Sequence, residues 1–505
     1  MTGADQSQAV RAARAADDVA VGRGRSDGGV EKLPTGIPGF DHVAMGGLPR
    51  RRATVLAGQA GSAKTVLAGQ FLAEGVRRGQ PAVFVSLEEP AADLRANFST
   101  LGWPVTEWEQ EQNWRFVDAS PLIRDDGTPV HYSFAALAAQ IGQAIDATGA
   151  DRIALDSLNS VFALDPDVGG ARQRLRSLVG SMRRAGLTIV MTVETAADPS
   201  DALSRFGIEE FVADNVVLLR NARQNSSRRR TIEILKMRGS AHLKGEFGFT
   251  ILPHEGAVVL PVAAHQMEAG RPAERVLSGV PDLDALCGGG LVRDSIVLVS
   301  GPTGTGKTLL SVEFLTSAAQ EGKKALFLGF EESPEQVGRN AVGTGRQFAA
   351  LREAGSLHVV SAYPEESALE DHLLQIKQLV ETVQPERLVI DSLTALERAG
   401  SEQAYRQFLV SLTAFLKQRL VTTVLTATTD GRGTPSAGDA HVSTLADMVL
   451  ALRYAERRGQ VDRAVTVLKM RGGAHDRAVR ELTIDDDGLH IGEPIADHVG
   501  VVQRR

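Results

Sequence analysis

The feature that most restricts the fold of this chain is a duplication. "TGIPGFDHVAMGGLPRRRATVLAGQAGSAKT" at 35–65 can be laid on "SGVPDLDALCGGGLVRDSIVLVSGPTGTGKT" at 278–308. The offset is 243 residues from Gly58 to Gly301 and again from Glu88 to Glu331, 235 from Asp156 to Asp391, and 233 between two copies of "LKMRG" at 235–239 and 468–472. A nearly constant offset means two tandem domains whose loops differ slightly in length. With 505 residues the chain is also too long for one ordinary core. The division predicted is an arm at 1–30, a first domain at 31–263, a linker at 264–274, a second domain at 275–491 and a short tail at 492–505. The arm is rich in Ala, Arg, Asp and Gly and almost without large apolar side chains, so it is expected to be flexible.

Within each half, short apolar runs alternate with helical stretches. In the first half the runs are Ala53 to Ala57, Ala82 to Leu87, Ile153 to Leu155 and Thr188 to Val193. This alternation predicts an α/β fold, a mostly parallel sheet flanked by helices. Such sheets bind ligands beyond the carboxyl ends of their strands, and the candidate site residues cluster there.

"GPTGTGKT" at 301–308 matches the phosphate-loop pattern G-x-x-x-x-G-K-[ST] in full, after the strand "SIVLVS" and before the helical run "LLSVEFLTSAA". Its glycines let backbone N–H groups face phosphate oxygens, Lys307 reaches the β and γ oxygens, and Thr308 offers a hydroxyl to Mg²⁺. The first half reads "GQAGSAKT" at 58–65, with Ala63 where the pattern has glycine; Lys64 and Thr65 are retained, and a second nucleotide site is expected. Asp156 and Asp391 close apolar strands, where a carboxylate beside the loop can hold the water shell of the metal. The acidic pairs Glu88–Glu89 and Glu331–Glu332 are read at strand ends. One member is expected to face the nucleotide and orient or deprotonate a hydroxyl nucleophile, and the other to pair with a cation.

Lys236 and Arg238, like Lys469 and Arg471, are separated by one residue at the end of an apolar run, which puts both cations on the same side of the pleat. A transferring phosphoryl group needs its charge neutralised, and in ring-shaped ATPases that cation often comes from the neighbouring subunit.

These motifs, in this order, resemble the KaiC family, double-domain P-loop ATPases of the RecA-like superfamily known from the cyanobacterial clock. The likeness runs from Leu33 to Ile491 and includes "FEES", "RFGIEEFVADNVVLLRN", "RRRTIEILKMRGSAHLKGE", "HVSTLADMVLALRY" and "AVTVLKMRGGAHDRAVRE". The resemblance implies a homohexamer of two stacked tiers with ATP between subunits. In the first tier, Glu88 and Glu89 would act on water. Its nucleotide contacts would be Gly61, Ser62, Ala63, Lys64, Thr65, Val66 and Thr100, with Lys236, Met237, Arg238, Ser240 and His242 reaching in from a neighbour. In the second tier, Glu331 would be the base of an autokinase and autophosphatase, with Glu332 beside it. Its contacts would be Thr303, Gly304, Thr305, Gly306, Lys307, Thr308, Thr344, Arg463, Lys469, Met470, Arg471, Gly472, Gly473 and His475. Mg²⁺ is expected on Thr65 and Thr308, with Glu331 as a further ligand. Ser443–Thr444 in "HVSTLAD", read as a loop before a strand, matches the family's autophosphorylation pair. The tail beyond Leu489 leaves out most of the segment that engages KaiA, which argues against a KaiA-like activator; a KaiB-like partner on the first tier stays open.

Two other readings share the same core. A RecA-like DNA-dependent motor would need a stacking channel, and a net charge of -7 with 5% aromatic residues argues against nucleic acid. A nucleotide-assembled scaffold with little turnover is suggested by Ala63. The single cysteine, Cys287, permits no internal disulfide, and no apolar run reaches the roughly 18 residues of a membrane-spanning helix. Both point to the cytoplasm.

Overall fold

The computed structural model describes residues 30–120, 134–163, 168–195, 212–224, 227–260, 274–340, 345–429, 437–457 and 460–495. The expected arm and most of the linker lie outside the described residues, as do Thr344 and the last ten residues of the tail. The chain divides into two compact units that meet in sequence near Pro261.

The first unit is built on β1 (Ala53–Gly58), α1 (Lys64–Arg77), β2 (Ala82–Ser86), α2 (Ala91–Thr100), β3 (Trp114–Asp118), β4 (Arg152–Asp156), α3 (Leu158–Ala163), β5 (Thr188–Glu194), β6 (Asn215–Gln224), β7 (Ser227–Met237), β8 (Glu246–Leu252) and β9 (Gly256–Leu260). Nine strands form one sheet in the order β9-β8-β7-β6-β1-β5-β4-β2-β3. From β6 to β3 every neighbouring pair is parallel. The far end turns antiparallel through β7, β8 and β9.

The central strands are mostly apolar and buried at nearly every position because both faces are covered. Leu56 packs into one core cluster with Phe71, Phe84 and Val217, whereas Val55 and Ala57 pack into another with Val83, Ile153 and Met191. Successive side chains point to opposite faces, so a strand buried on both sides reads as a continuous apolar run.

The second unit repeats the plan with β10 (Ile296–Gly301), α4 (Lys307–Gln320), β11 (Ala325–Gly329), α5 (Pro334–Asn340), β12 (Leu357–Ser361), β13 (Arg387–Asp391), α6 (Leu393–Arg398), β14 (Thr422–Thr428), α7 (Ala437–Leu445), β15 (Met448–Arg457), β16 (Gln460–Met470), β17 (Arg480–Asp485) and β18 (Gly488–Pro494). Its sheet runs β12-β11-β13-β14-β10-β15-β16-β17-β18. The predicted α/β architecture with a mostly parallel sheet is therefore present in both halves. Among the described residues no helix is long and apolar enough to cross a membrane.

Two sequence expectations are corrected here. The acidic pairs do not sit on strands, because β2 stops at Ser86 and β11 at Gly329, and the four glutamates occupy bends leading into α2 and α5. Ser443 and Thr444 are not in a loop but in the last turn of α7, where Thr444 donates its hydroxyl to the carbonyl of His441 at 2.7 Å. A serine or threonine bonding back three residues satisfies its hydroxyl inside a helix, so local composition did not reveal the element.

Candidate functional site

Each phosphate loop lies between the middle strand and the helix that follows it. Neither α1 nor α4 has an acidic residue in its first turn. The free N–H groups and positive dipole end of each helix are therefore left to an incoming anion. In the first loop Lys64 donates through Nζ to the carbonyls of Gly58 and Gln59, both at 2.9 Å. In the second, Lys307 donates to Gly301 at 2.8 Å and Pro302 at 2.9 Å. Burial lowers both lysines below the ordinary value. Glu194, Asp156 and Glu88 oppose this for Lys64, and Asp391 and Glu331 for Lys307.

Ala63 does not deform the loop. It adopts φ 73° and ψ 25°, the left-handed conformation that Gly306 takes at φ 104° and ψ 14°. For alanine that conformation costs about 1 kcal/mol, a strain the loop accommodates while keeping the lysine geometry of the second half.

Thr65 donates to Asp156 Oδ2 at 2.7 Å, and Thr308 to Asp391 Oδ2 at 2.7 Å. The other oxygen of each aspartate is taken by a threonine on the adjacent strand, Thr192 or Thr426. Burial raises Asp156 above the ordinary carboxylate value, while its bonds to Thr192 and Thr65 act against that rise. The peptides Asp156–Ser157 and Asp391–Ser392 are both cis. Hydroxyl and carboxylate oxygens of this kind suit a hard divalent cation, which commonly takes only one or two protein ligands and completes its shell with water and phosphate. Among the described residues no cluster of three or more His, Cys, Asp or Glu forms a metal cage.

The acids behave differently from the cation pairing expected of them. Glu88 Oε1 accepts hydroxyls from Ser157 at 2.7 Å and Ser160 at 2.8 Å. Glu332 accepts an amide hydrogen from Asn340 at 3.3 Å. Among the described residues none of Glu88, Glu89, Glu331 and Glu332 forms a salt bridge, because the elements around the bends offer hydroxyl and amide groups. Glu89 is raised by burial and then by Asp156, Glu88 and Asp93. Glu332 is raised by burial, with Asp391 and Glu331 adding to it and the Asn340 bond opposing it.

In the second half both cations of the basic pair reach the end of α7 and the residue after it. Lys469 donates to the carbonyls of Ser443 at 2.8 Å and Ala446 at 2.7 Å, and Arg471 to that of Thr444 at 3.2 Å. Lys236 donates to Ala213 at 3.1 Å. The intervening Met237 is buried in the core, and Met470 packs against the core of its own unit. Gly239 and Gly472 follow the arginines at φ 68° and 80°, a left-handed turn that reverses the chain directly behind the tip.

These tips lie at the wrong end of the sheet to serve their own loop. Arg238 N–H donates to the carbonyl of Asp214, whose carboxylate receives the N–H of Ala53, the first residue of β1. In the second half Arg471 N–H donates to Asp447, whose carboxylate receives the N–H of Ile296. The phosphate loop is at the opposite end of the six-residue strand, about 17 Å away at ~3.3 Å per residue.

Thr100, at the end of α2, is bonded to Asn97 at 2.7 Å and, among the described residues, makes no hydrogen bond to the loop. His242 lies beside the carbonyl of Ile234 at 3.1 Å, and His475 Nε2 is buried with no partner among the described residues. Among the described residues, side chains from strands of the same chain also bond to loop carbonyls. Asn221 donates to Gly61 at 3.2 Å and Arg230 to Gly61 at 3.4 Å. Tyr454 donates to Thr303 at 3.0 Å and Arg463 to Gly304 at 3.1 Å. Sequence reasoning found only Arg463 among these. Arg230 carries the 233-residue offset of the LKMRG copies from Arg463, and that signal would have found it.

Fold and loop geometry define the class: a duplicated RecA-like P-loop nucleotide hydrolase. The sequence model of the family described as "ATPase: KaiC" matches residues 33–264 and 276–496. The circadian clock protein KaiC3 of Synechocystis sp. is 46% identical over 478 residues, which cover 94% of this chain and 94% of that protein. The circadian clock oscillator proteins KaiC of Prochlorococcus marinus (strain MIT 9313) and Thermostichus vulcanus are 42% and 41% identical, over 93% and 95% of this chain and 94% and 92% of their own lengths. The chain belongs to the KaiC family and is a nucleotide-binding ATPase of that clock-protein kind.

Proposed function

We propose that the chain is an ATP-hydrolysing autokinase and autophosphatase that works as a phosphorylation-state timer or signalling switch. The observation that carries the reading is the pairing of two Lys–Thr–Asp loops with a hydroxyl pair, Ser443 and Thr444, whose carbonyls are held by the basic tip of β16. In this reading residues 31–263 form the hydrolytic domain, and residues 275–491 the one that phosphorylates itself. Thr65 and Asp156, and Thr308 and Asp391 with Glu331, would hold Mg²⁺, which when bound neutralises charge on the phosphates. Glu88 orients water in the first site, and Glu331 accepts the proton of a protein hydroxyl in the second.

The position of the basic tips at the far end of the sheet supports assembly. If they serve a phosphate, it is one held by another copy of the chain, with a loop on one subunit and Lys236, Arg238, Lys469 and Arg471 on the next. A closed ring of such head-to-tail contacts, here a homohexamer, satisfies every site. Each added phosphate brings nearly two negative charges to the α7 end, beside Lys469 and Arg471, and biases that boundary. A KaiB-like partner on the first tier and residence in the cytoplasm complete the reading. The test is incubation with Mg²⁺ and ATP, then mass spectrometry and sizing. Phosphate on Ser443 or Thr444 in a ring-sized particle is expected. An unmodified monomer would refute it.

A further inference from the structure

The two halves agree in loop, metal acid and strand, but not in how the acid beyond β2 or β11 is held. Glu88 Oε1 receives both Ser157 and Ser160, so one carboxylate oxygen is pinned while Oε2 has no partner among the described residues. Ser157 directly follows Asp156, the acid bonded to Thr65, and Ser160 stands in the first turn of α3. In the second half the residue matching Ser160 is Ala395, buried at 5% exposure. Ser392, which matches Ser157, has its hydroxyl buried with no partner among the described residues. Glu331 is exposed and, among the described residues, accepts no hydrogen bond.

The geometry points to Ser160 as a positioning residue, acting through Glu88, that commits the first site to water, while Ala395 leaves Glu331 free to meet a hydroxyl carried on the protein. This rests on the function proposed above. Water is small and arrives in any orientation, so it is best served by a carboxylate fixed in one pose. Glu88 Oε2 then accepts a water proton as the water oxygen bonds to the γ-phosphorus and the bond to the bridging oxygen of ADP breaks; the proton leaves with the released phosphate. A protein hydroxyl is constrained by its own backbone, so the acid that serves it must move instead.

The test measures steady-state ATP hydrolysis by the full chain in a Lys307→Ala background, which isolates the first site. Ser160→Ala removes one of two donors to a charged acceptor and should lower kcat about tenfold with KM unchanged, while Ser160→Thr, which keeps a hydroxyl, should recover most of the loss. The reciprocal change, Ala395→Ser in a Lys64→Ala background, should slow phosphate incorporation into the chain and raise hydrolysis at the second site. A wild-type kcat in Ser160→Ala, or a loss expressed in KM that threonine does not rescue, overturns the inference. Glu88→Gln separates the two levels. If it abolishes first-site hydrolysis while Ser160→Ala does not, only this inference falls; if it leaves hydrolysis unchanged, the proposed function falls with it.

Discussion

The position of the basic tips allows a complementation experiment whose outcome can be calculated. Arg471 is anchored at the foot of β10 through Asp447, and the loop containing Lys307 is at its head. An arginine side chain reaches about half of the ~17 Å between them, taking ~3.3 Å per strand residue. The two groups therefore act on one nucleotide only when they belong to different copies of the chain. Lys307→Ala and Arg471→Ala proteins should each fail to incorporate phosphate when assayed alone. After an equal mixture is allowed to dissociate and reassemble, a boundary works when an intact loop from the Arg471→Ala chain meets an intact tip from the Lys307→Ala chain. In a ring of head-to-tail contacts drawn at random this is about one boundary in four, so phosphate incorporation should recover to about a quarter of the wild-type rate. Radiolabel transfer from ATP, followed over the mixing ratio, should peak at equal proportions. Failure to rise above the two separate proteins would refute the shared site. Retained activity of Arg471→Ala in a protein shown to be monomeric would do the same.

Lys307→Ala should abolish phosphorylation at 443 and 444, whereas Lys64→Ala should chiefly lower hydrolysis and weaken the ring, as read by phosphosite mapping and sizing. Ala63→Gly relieves about 1 kcal/mol of left-handed strain but adds a similar amount of freedom to the unfolded chain; its thermal midpoint should stay within about 2 °C of the parent, and a larger fall would mean that the alanine methyl is a required contact. Burial raises Glu89 above the ordinary carboxylate value, so it takes up a proton at a higher pH than an exposed glutamate does. The acid limb of hydrolysis should move down in Glu89→Gln. Because the folded form binds that proton more tightly, Glu89 contributes stability below its raised pKa and loses it as pH rises through that value, which denaturation at a series of pH values would detect.

Much of the architecture was legible because it was written twice. Repeated spacing marked two domains, and largely apolar runs marked strands covered on both faces, since period-two side chains are all buried only there. The loop lysines and threonines and the strand-end aspartates were legible for the same reason: each residue type serves one chemical role at a fixed step from a strand end. Three things were decided only in three dimensions. Whether Ala63 damages its loop depends on φ at one residue, which composition does not specify, and the loop keeps its shape. Glu88 takes hydroxyls from residues 69 and 72 positions away, a juxtaposition created by β2 and β4 lying side by side. The LKMRG tips read as phosphate ligands in sequence, but the antiparallel return of β7 and β16 carries them to the far end of the sheet, because an added antiparallel strand must finish where its neighbour began.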